Sequence, residues 1–305
     1  MEQLPNELKN IIKDYIIFKP KTKHELQEAV DLWCKNKEEA LNKYGHISIW
    51  DTSLITDMSY LFRDKKDFND NINNWDVSSV TDMFCMFCKV ESFNQPLDSW
   101  DVSSVTNMCY MFFQASLFNQ PLNSWDVSSV INMENMFTGT VDFNQPLDKW
   151  VVVNVESMCL MFACTKSFNQ DINNWDVSSV TNMYGLFEEA ISFNQSLDSW
   201  DVSSVTDMSY MFCGASLFNQ KIGSWKINNV DMMVCMFLGA SKFNQPIDSW
   251  NMSSVRLIGY MFGEAKSFNQ PLNSWNISNV EDMNNMFDDA ISFNKSNAPW
   301  YNFET

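Results

Sequence analysis

Histidine is nearly absent: the 305 residues contain two, His24 and His46. Beyond residue 46, a Ser-His or Cys-His nucleophile pair therefore has no base to draw on. Glycine is scarce as well, with eight in all, and neither G-x-G-x-x-G nor G-x-x-x-x-G-K-[ST] occurs. That removes the usual phosphate cradles. No run of 18 apolar residues exists, so no transmembrane helix is expected. Positive charge is short: 20 Lys and Arg stand against 38 Asp and Glu, for a net charge of −18. Residues 1–50 carry eight basic and eight acidic side chains, and the rest of the chain carries 12 and 30. An acidic surface of this kind repels phosphate backbones, so nucleic acid is excluded as the expected partner and a basic protein segment is favoured.

What the chain has in abundance is repetition. Tryptophan recurs at 50, 75, 100, 125, 150, 175, 200, 225, 250, 275 and 300, a period of 25 without insertion or deletion. A fixed period in this range marks an array in which each unit buries its apolar face only against its neighbours. With each repeat numbered from its tryptophan as position 1, positions 13 and 19 are always Phe and position 20 is always Asn. Positions 9, 12, 13 and 16 (Met108, Met111, Phe112 and Ala115 in one copy) have the i, i+3, i+4, i+7 spacing of one helical face. Leu97-x-x-Trp100-x-Val102 ends with the alternation of a short strand. One strand and one helix per unit predict an α/β, leucine-rich-repeat-like solenoid with columns of Trp, Phe and Val. The constant Asn is expected to bond backbone groups of the next coil.

The run F-N-Q-P-L-x-x-W-D-V-S-S-V-T-N-M-x-x-M-F, as at 118–137, resembles the 25-residue repeat of BspA-like, DUF285-type proteins. The segment from Phe18 through Trp50 resembles the cap that precedes such arrays. The resemblance implies a leucine-rich-like solenoid used for binding, found on bacterial surfaces and in mycoplasmas, large DNA viruses and some protists. It implies no enzyme.

The expected organisation is a helical cap at 1–49, ten repeats at 50–299 and a truncated coil at 300–305. In the cap, Leu4, Leu8, Ile11, Ile12 and Tyr15 share one helical face, and Leu26, Val30, Trp33, Cys34 and Leu41 share another. Leu4-Pro5-Asn6-Glu7-Leu8 also resembles the opening of an F-box. That resemblance implies the alternative function, a ubiquitin-ligase substrate receptor with residues 1–49 as its adaptor segment. The first residues lack the basic and apolar regions of a signal peptide. No two of the eight cysteines lie 25 apart, so no column offers a disulfide partner, and free thiols in an intracellular chain are expected. Cys85-x-x-Cys88 has no second pair at zinc spacing and reads as packing thiols. No metal, cofactor or catalytic residue is expected.

In an L-x-x-L-x-L strand the residues between the inward ones face the concave side. Position 2 then forms a partner-binding row: Asp76, Asp101, Asp126, Val151, Asp176, Asp201 and Lys226, with Asn251 and Asn276 beyond. Val151 and Val153, where the usual D-V-S is replaced, supply an apolar anchor. The expected function is non-enzymatic protein binding to a partner with a basic segment. At the far end, the last residues are expected either to fold back as a lid or to leave a coil that self-associates.

Overall fold

A computed structural model describes residues 17–303. Among the described residues the cap contains two α-helices, α1 (Lys23–Lys35) and α2 (Lys37–Tyr44). Thr22 starts α1 by accepting from the Glu25 amide at 3.2 Å, the usual N-cap bond. Asn36 both ends and restarts the helix: its N–H donates to the Leu32 carbonyl at 2.7 Å, and its Oδ1 accepts from the Glu39 amide at 3.2 Å. Leu26, Val30 and Trp33 are buried as the spacing requires, but Cys34 and Leu41 are exposed. The break at Asn36 turns α2 away from the face that α1 buries. The expected helix at Leu4–Tyr15 and the F-box-like motif lie outside the described residues. Among those residues, no helix is long and apolar enough to cross a membrane.

The cap sits on the first coil through aromatic and charged contacts. Trp33 meets Trp50 edge-on at 6.0 Å, and Phe18 meets the same ring at 5.3 Å. Lys19 pairs with Asp51 at 2.7 Å and Lys37 with Asp70 at 2.6 Å. Gln27 donates to the Leu61 carbonyl at 3.0 Å, satisfying a backbone acceptor at the open end of the array.

The repeats overturn the α/β expectation. Among the described residues they contain no α-helix and no strand. There are two short 3₁₀ turns, Met252–Ser254 and Lys295–Asn297, and single-residue parallel bridges at position 8, from Asp57↔Asp82 to Leu257↔Asp282. Each coil is a succession of tight turns. In the coil that begins at Trp100, amides bond three residues back: Val105 to Val102 at 2.9 Å, Met111 to Met108 at 3.2 Å, Ala115 to Phe112 at 2.9 Å and Phe118 to Ala115 at 3.0 Å. Alternate amides in the same stretch reach the next coil instead. Met108, Tyr110, Phe112 and Gln114 donate to the carbonyls of Asn132, Glu134, Met136 and Thr138 at 3.2, 2.9, 2.9 and 2.7 Å.

The reason no helix propagates is the sign of φ at positions 11 and 15. Tyr110 has φ +58° and Gln114 φ +55°, and every coil repeats this pair. A left-handed residue breaks the helical path: the amides of Tyr110 and Gln114 themselves reach the next coil, while the amides that follow, of Met111 and Ala115, close turns. The i, i+3, i+4, i+7 spacing belongs equally to two consecutive four-residue turns, so the apolar positions were right and the element was not. The Leu97–Val102 segment is likewise a turn, closed by the Trp100 amide on the Leu97 carbonyl at 3.1 Å. With no strand there, the assignment of position 2 to a concave strand face loses its basis.

The columns themselves are present. Phe112 stacks on Phe137 at 5.6 Å with planes 6° apart, and Trp100 on Trp125 at 6.4 Å and 3°. Within a coil, Phe112 and Phe118 stack at 4.1 Å. From Trp75 to Trp300 each indole N–H donates to the carbonyl 28 residues back; that of Trp125 donates to the Leu97 carbonyl at 2.9 Å. The constant Asn forms a ladder as expected, half-buried in most coils: Asn119 Oδ1 accepts from the Asn144 amide at 3.0 Å and from Gln145 Nε2 at 3.0 Å. At the end of the array, Tyr301 packs edge-on against Phe287 at 5.1 Å, and Phe303 covers Phe287 and Phe293 at 5.7 and 6.3 Å. The chain thus folds back over the last columns. Ile291 remains 78 % exposed beside them.

Candidate functional site

Position 2 is exposed in every coil from Asp76 to Asn276. Its local geometry explains most of its composition. Asp101 Oδ1 accepts from the Ser103 amide at 3.1 Å and the Ser103 hydroxyl at 2.6 Å. Asp76 and Asp176 make the same pair of bonds, and Asp126 and Asp201 accept from the amides of Ser128 and Ser203. Asn251 and Asn276 accept from Ser253 and Ser278 in the same way. These are side-chain turns that Asp and Asn favour, and they let Val102 point inward between the exposed Asp101 and the half-buried Ser103.

The serine bonds govern the charge. Ser103, through its hydroxyl and then its amide, holds the Asp101 carboxyl below the usual carboxylate range. Ser128, Ser178 and Ser203 do the same for Asp126, Asp176 and Asp201. Repulsion between neighbours is weaker: Asp101 raises Asp126, and Asp201 raises Asp176, in each case as the smallest of the influences. The expected acidic ladder is therefore a row of ionised, serine-tied carboxylates. At Asp201 the neighbouring Lys226 adds a further pull downward.

Val151 interrupts the row without an equivalent side-chain turn. It is 53 % exposed and Val153 36 %, while Val152 between them is buried. Farther on, a shallow groove of about 420 Å³ is lined by Asp171, Asn173, Asn174, Asp176, Ser199 and Asp201. One column thus gathers Asp76, Asp101, Asp126, Val151, Asp176, Asp201 and Lys226, with Val153 two residues along in its coil.

A second surface was not singled out from the sequence. Positions 8, 10, 11, 14 and 15 lie on the outward-bonded stretch and carry seven of the eight cysteines. Phe84 lies 5.1 Å from Tyr60 and 5.6 Å from Tyr110, and Tyr184 lies 5.3 Å from Tyr210. All eight thiols are free. Burial pushes those of Cys109 and Cys213 up to about 12 and that of Cys159 up to about 11. Cys85 and Cys88 share a hydrogen bond within one turn, which raises the first thiol and lowers the second. Among the described residues, no three His, Cys, Asp or Glu side chains converge to hold a metal ion. His24 faces Glu28, and His46 bonds Ser48 within the cap. The signal for this surface was internal variation. Position 11 runs Tyr, Cys, Tyr, Asn, Leu, Gly, Tyr, Cys, Tyr, Asn, whereas position 13 never changes.

Comparison with protein families returns one description, "Mycoplasma protein of unknown function, DUF285". Its family model matches residues 33–150, 134–237 and 196–300. No curated protein matches the chain.

Proposed function

The chain belongs to the DUF285 family of unknown function, and from that premise we propose that it is a non-enzymatic protein-interaction scaffold. Its partner carries a basic segment and binds along the exposed position-2 row. The supporting observation is the row itself: Asp76, Asp101, Asp126, Asp176 and Asp201 occupy one column, each exposed, with serine bonding one oxygen of the carboxylate. The second oxygen of each is available to a lysine or arginine. Val151 and Val153 offer an apolar contact in mid-row, where burial of exposed methyl groups adds affinity that charge alone does not.

The test compares the intact chain with the double variant Asp101→Lys, Asp126→Lys, both immobilised and exposed to lysate at low salt. The proposal expects retained proteins rich in Lys/Arg segments, lost from the variant and released by salt. Association should be slower for the variant, because rim charges act mainly on encounter. The same proteins retained equally by both chains would overturn the assignment of the row.

A further inference from the structure

The chain already holds one lysine on its second surface. In the coil that begins at Trp50, Lys23 of α1 places its Nζ 2.9 and 3.0 Å from the two carboxylate oxygens of Asp57. The same ammonium bonds the Ser59 hydroxyl and lies 6.0 Å from the centre of the Tyr60 ring. Arg63 brings a second cation 5.5 Å from that ring. The residues involved stand at positions 8, 10 and 11.

The segment that does this, Thr56-Asp57-Met58-Ser59-Tyr60, occurs a second time as Thr206-Asp207-Met208-Ser209-Tyr210. The local structure repeats with it. The Ser59 amide donates to Asp57 Oδ1 at 2.8 Å, and the Ser209 amide to Asp207 Oδ1 at 2.8 Å. Tyr60 has φ +63° and Tyr210 φ +60°. Ser59 is 6 % exposed and Ser209 4 %. Asp207 and Tyr210 of the second copy lie half-buried at the surface, as Asp57 does in the first, where Tyr60 is 44 % exposed beside the cap.

Two further observations set this second copy apart from fold-keeping residues. Position 11 is left-handed in every coil, and the residues that adopt it easily are Gly and Asn. Asn135, Gly185 and Asn285 fill it elsewhere, so the turn itself gains nothing from a tyrosine at 210. The surroundings are also acidic. Glu188, from the preceding coil, is raised by its burial and by Glu189. Glu188 and Asp207 both act on Tyr184, whose ring stands 5.3 Å from that of Tyr210.

We propose that Asp207 and Tyr210, with Glu188 beside them, form a site for one lysine side chain of the partner's basic segment. The ammonium donates to the Asp207 carboxylate and lies against the Tyr210 ring, as Lys23 does with Asp57 and Tyr60 in the first coil. In the first coil α1 stands where a preceding coil would be. Here the preceding coil fills that place, so the lysine enters from the solvent side past Tyr184 and Glu188. The proposal rests on the reading that the partner is basic, and it adds a contact away from the position-2 row.

The test is fluorescence anisotropy of a labelled peptide of alternating lysine and glycine, titrated with the full chain at low salt. Asp207→Asn preserves the turn, because Asn107, Asn132 and Asn182 occupy this position in other coils. Tyr210→Asn preserves it too, since Asn135 and Asn285 have the same left-handed φ. Each should weaken binding about threefold or more, as expected for loss of one ion pair or one cation–ring contact. Tyr210→Phe keeps the ring and should stay near wild type. Asp101→Asn is the matched control, removing one charge from the row while keeping its turn. The site is overturned if Asp207→Asn weakens binding no more than Asp101→Asn and Tyr210→Asn has no effect, or if the peptide does not bind the wild-type chain. Losses confined to Asp101→Asn and Asp126→Asn would leave the row standing without this site. Losses confined to positions 207 and 210 would leave the site standing without the row.

Discussion

Phe137→Ala tests how the array holds together, because the ring touches every kind of neighbour the repeat provides. It is fully buried. It stacks on Phe112 at 5.6 Å and Phe162 at 5.7 Å in the coils before and after, and on Phe143 at 4.3 Å in its own coil. Truncating a buried Phe costs about 3–5 kcal/mol. Each stacked pair adds about 0.5–1.5 kcal/mol beyond burial, not additively, so the upper half of the range is expected. Stability in a stacked array is a sum of unit and interface contributions. A loss at one coil therefore weakens both of its interfaces and broadens the urea transition as the two halves part company. Asp126→Ala in the same coil is the control. It removes an exposed carboxylate that accepts from the Ser128 amide at 3.0 Å, and it should cost under about 1 kcal/mol. The assay is urea unfolding followed by far-UV circular dichroism and tryptophan fluorescence. Equal midpoints for the two variants would refute the assignment of inward and outward faces.

Three further outcomes are expected. Asn144→Ala deletes the Oδ1 that accepts from the Asn169 amide at 2.9 Å and Gln170 Nε2 at 2.9 Å; at a half-buried site this should cost about 1–2 kcal/mol in urea unfolding, with Asn144→Asp losing less because it keeps the acceptor. Lys19, by its hydrogen bond, holds Asp51 down to about 2 from 3.8, so that contribution is complete above the ordinary carboxylate pKa and drains away as pH falls toward the folded value. The melting-temperature gap between wild type and Lys19→Ala should accordingly shrink from pH 5 toward about pH 2, and a gap that stays constant would refute the pairing. Deleting residues 298–305 uncovers Phe287 and Phe293 and should raise light scattering at a given concentration; unchanged scattering would show that the fold-back protects nothing.

The inward residues were legible because burial leaves a mark in every copy. Phe112, Phe118, Trp100, Val102 and Met108 recur with their column, and the structure buries them all. The Asn ladder was legible for the same reason, since a side chain that bonds the next coil's backbone tolerates no substitute of different shape. The element type was not legible. Met108, Met111, Phe112 and Ala115 have one spacing in a helix and in two successive turns, and the deciding feature is the sign of φ at Tyr110 and Gln114. Glycine would have flagged those positions, but most coils place Tyr, Cys, Leu, Lys or Glu there. Asp101 misled for a related reason. An exposed carboxylate repeated at a fixed spacing reads as a charged face, yet its nearest partner is the serine two residues on, which the turn alone would select.

The same backbone pattern explains why the coils can differ where they do. In the coil that begins at Trp100, the amides at positions 9, 11, 13 and 15 reach the next coil, those at 12 and 14 close turns, and that at 10 bonds the side chain at position 8. The side chains at positions 10, 11 and 14 are needed by none of these bonds. Interior columns are held constant by the neighbours on both sides, since a change in one coil leaves a gap against two others. The outward positions carry no such debt, and they range from Gly259 to Tyr184 at position 10 and from Gly263 to Phe113 at position 14. Stability and surface chemistry are thereby assigned to different positions of one repeat. A change such as Ser209 to Cys109 or Glu134 at position 10 alters what the surface offers and leaves the Phe, Trp and Asn columns untouched.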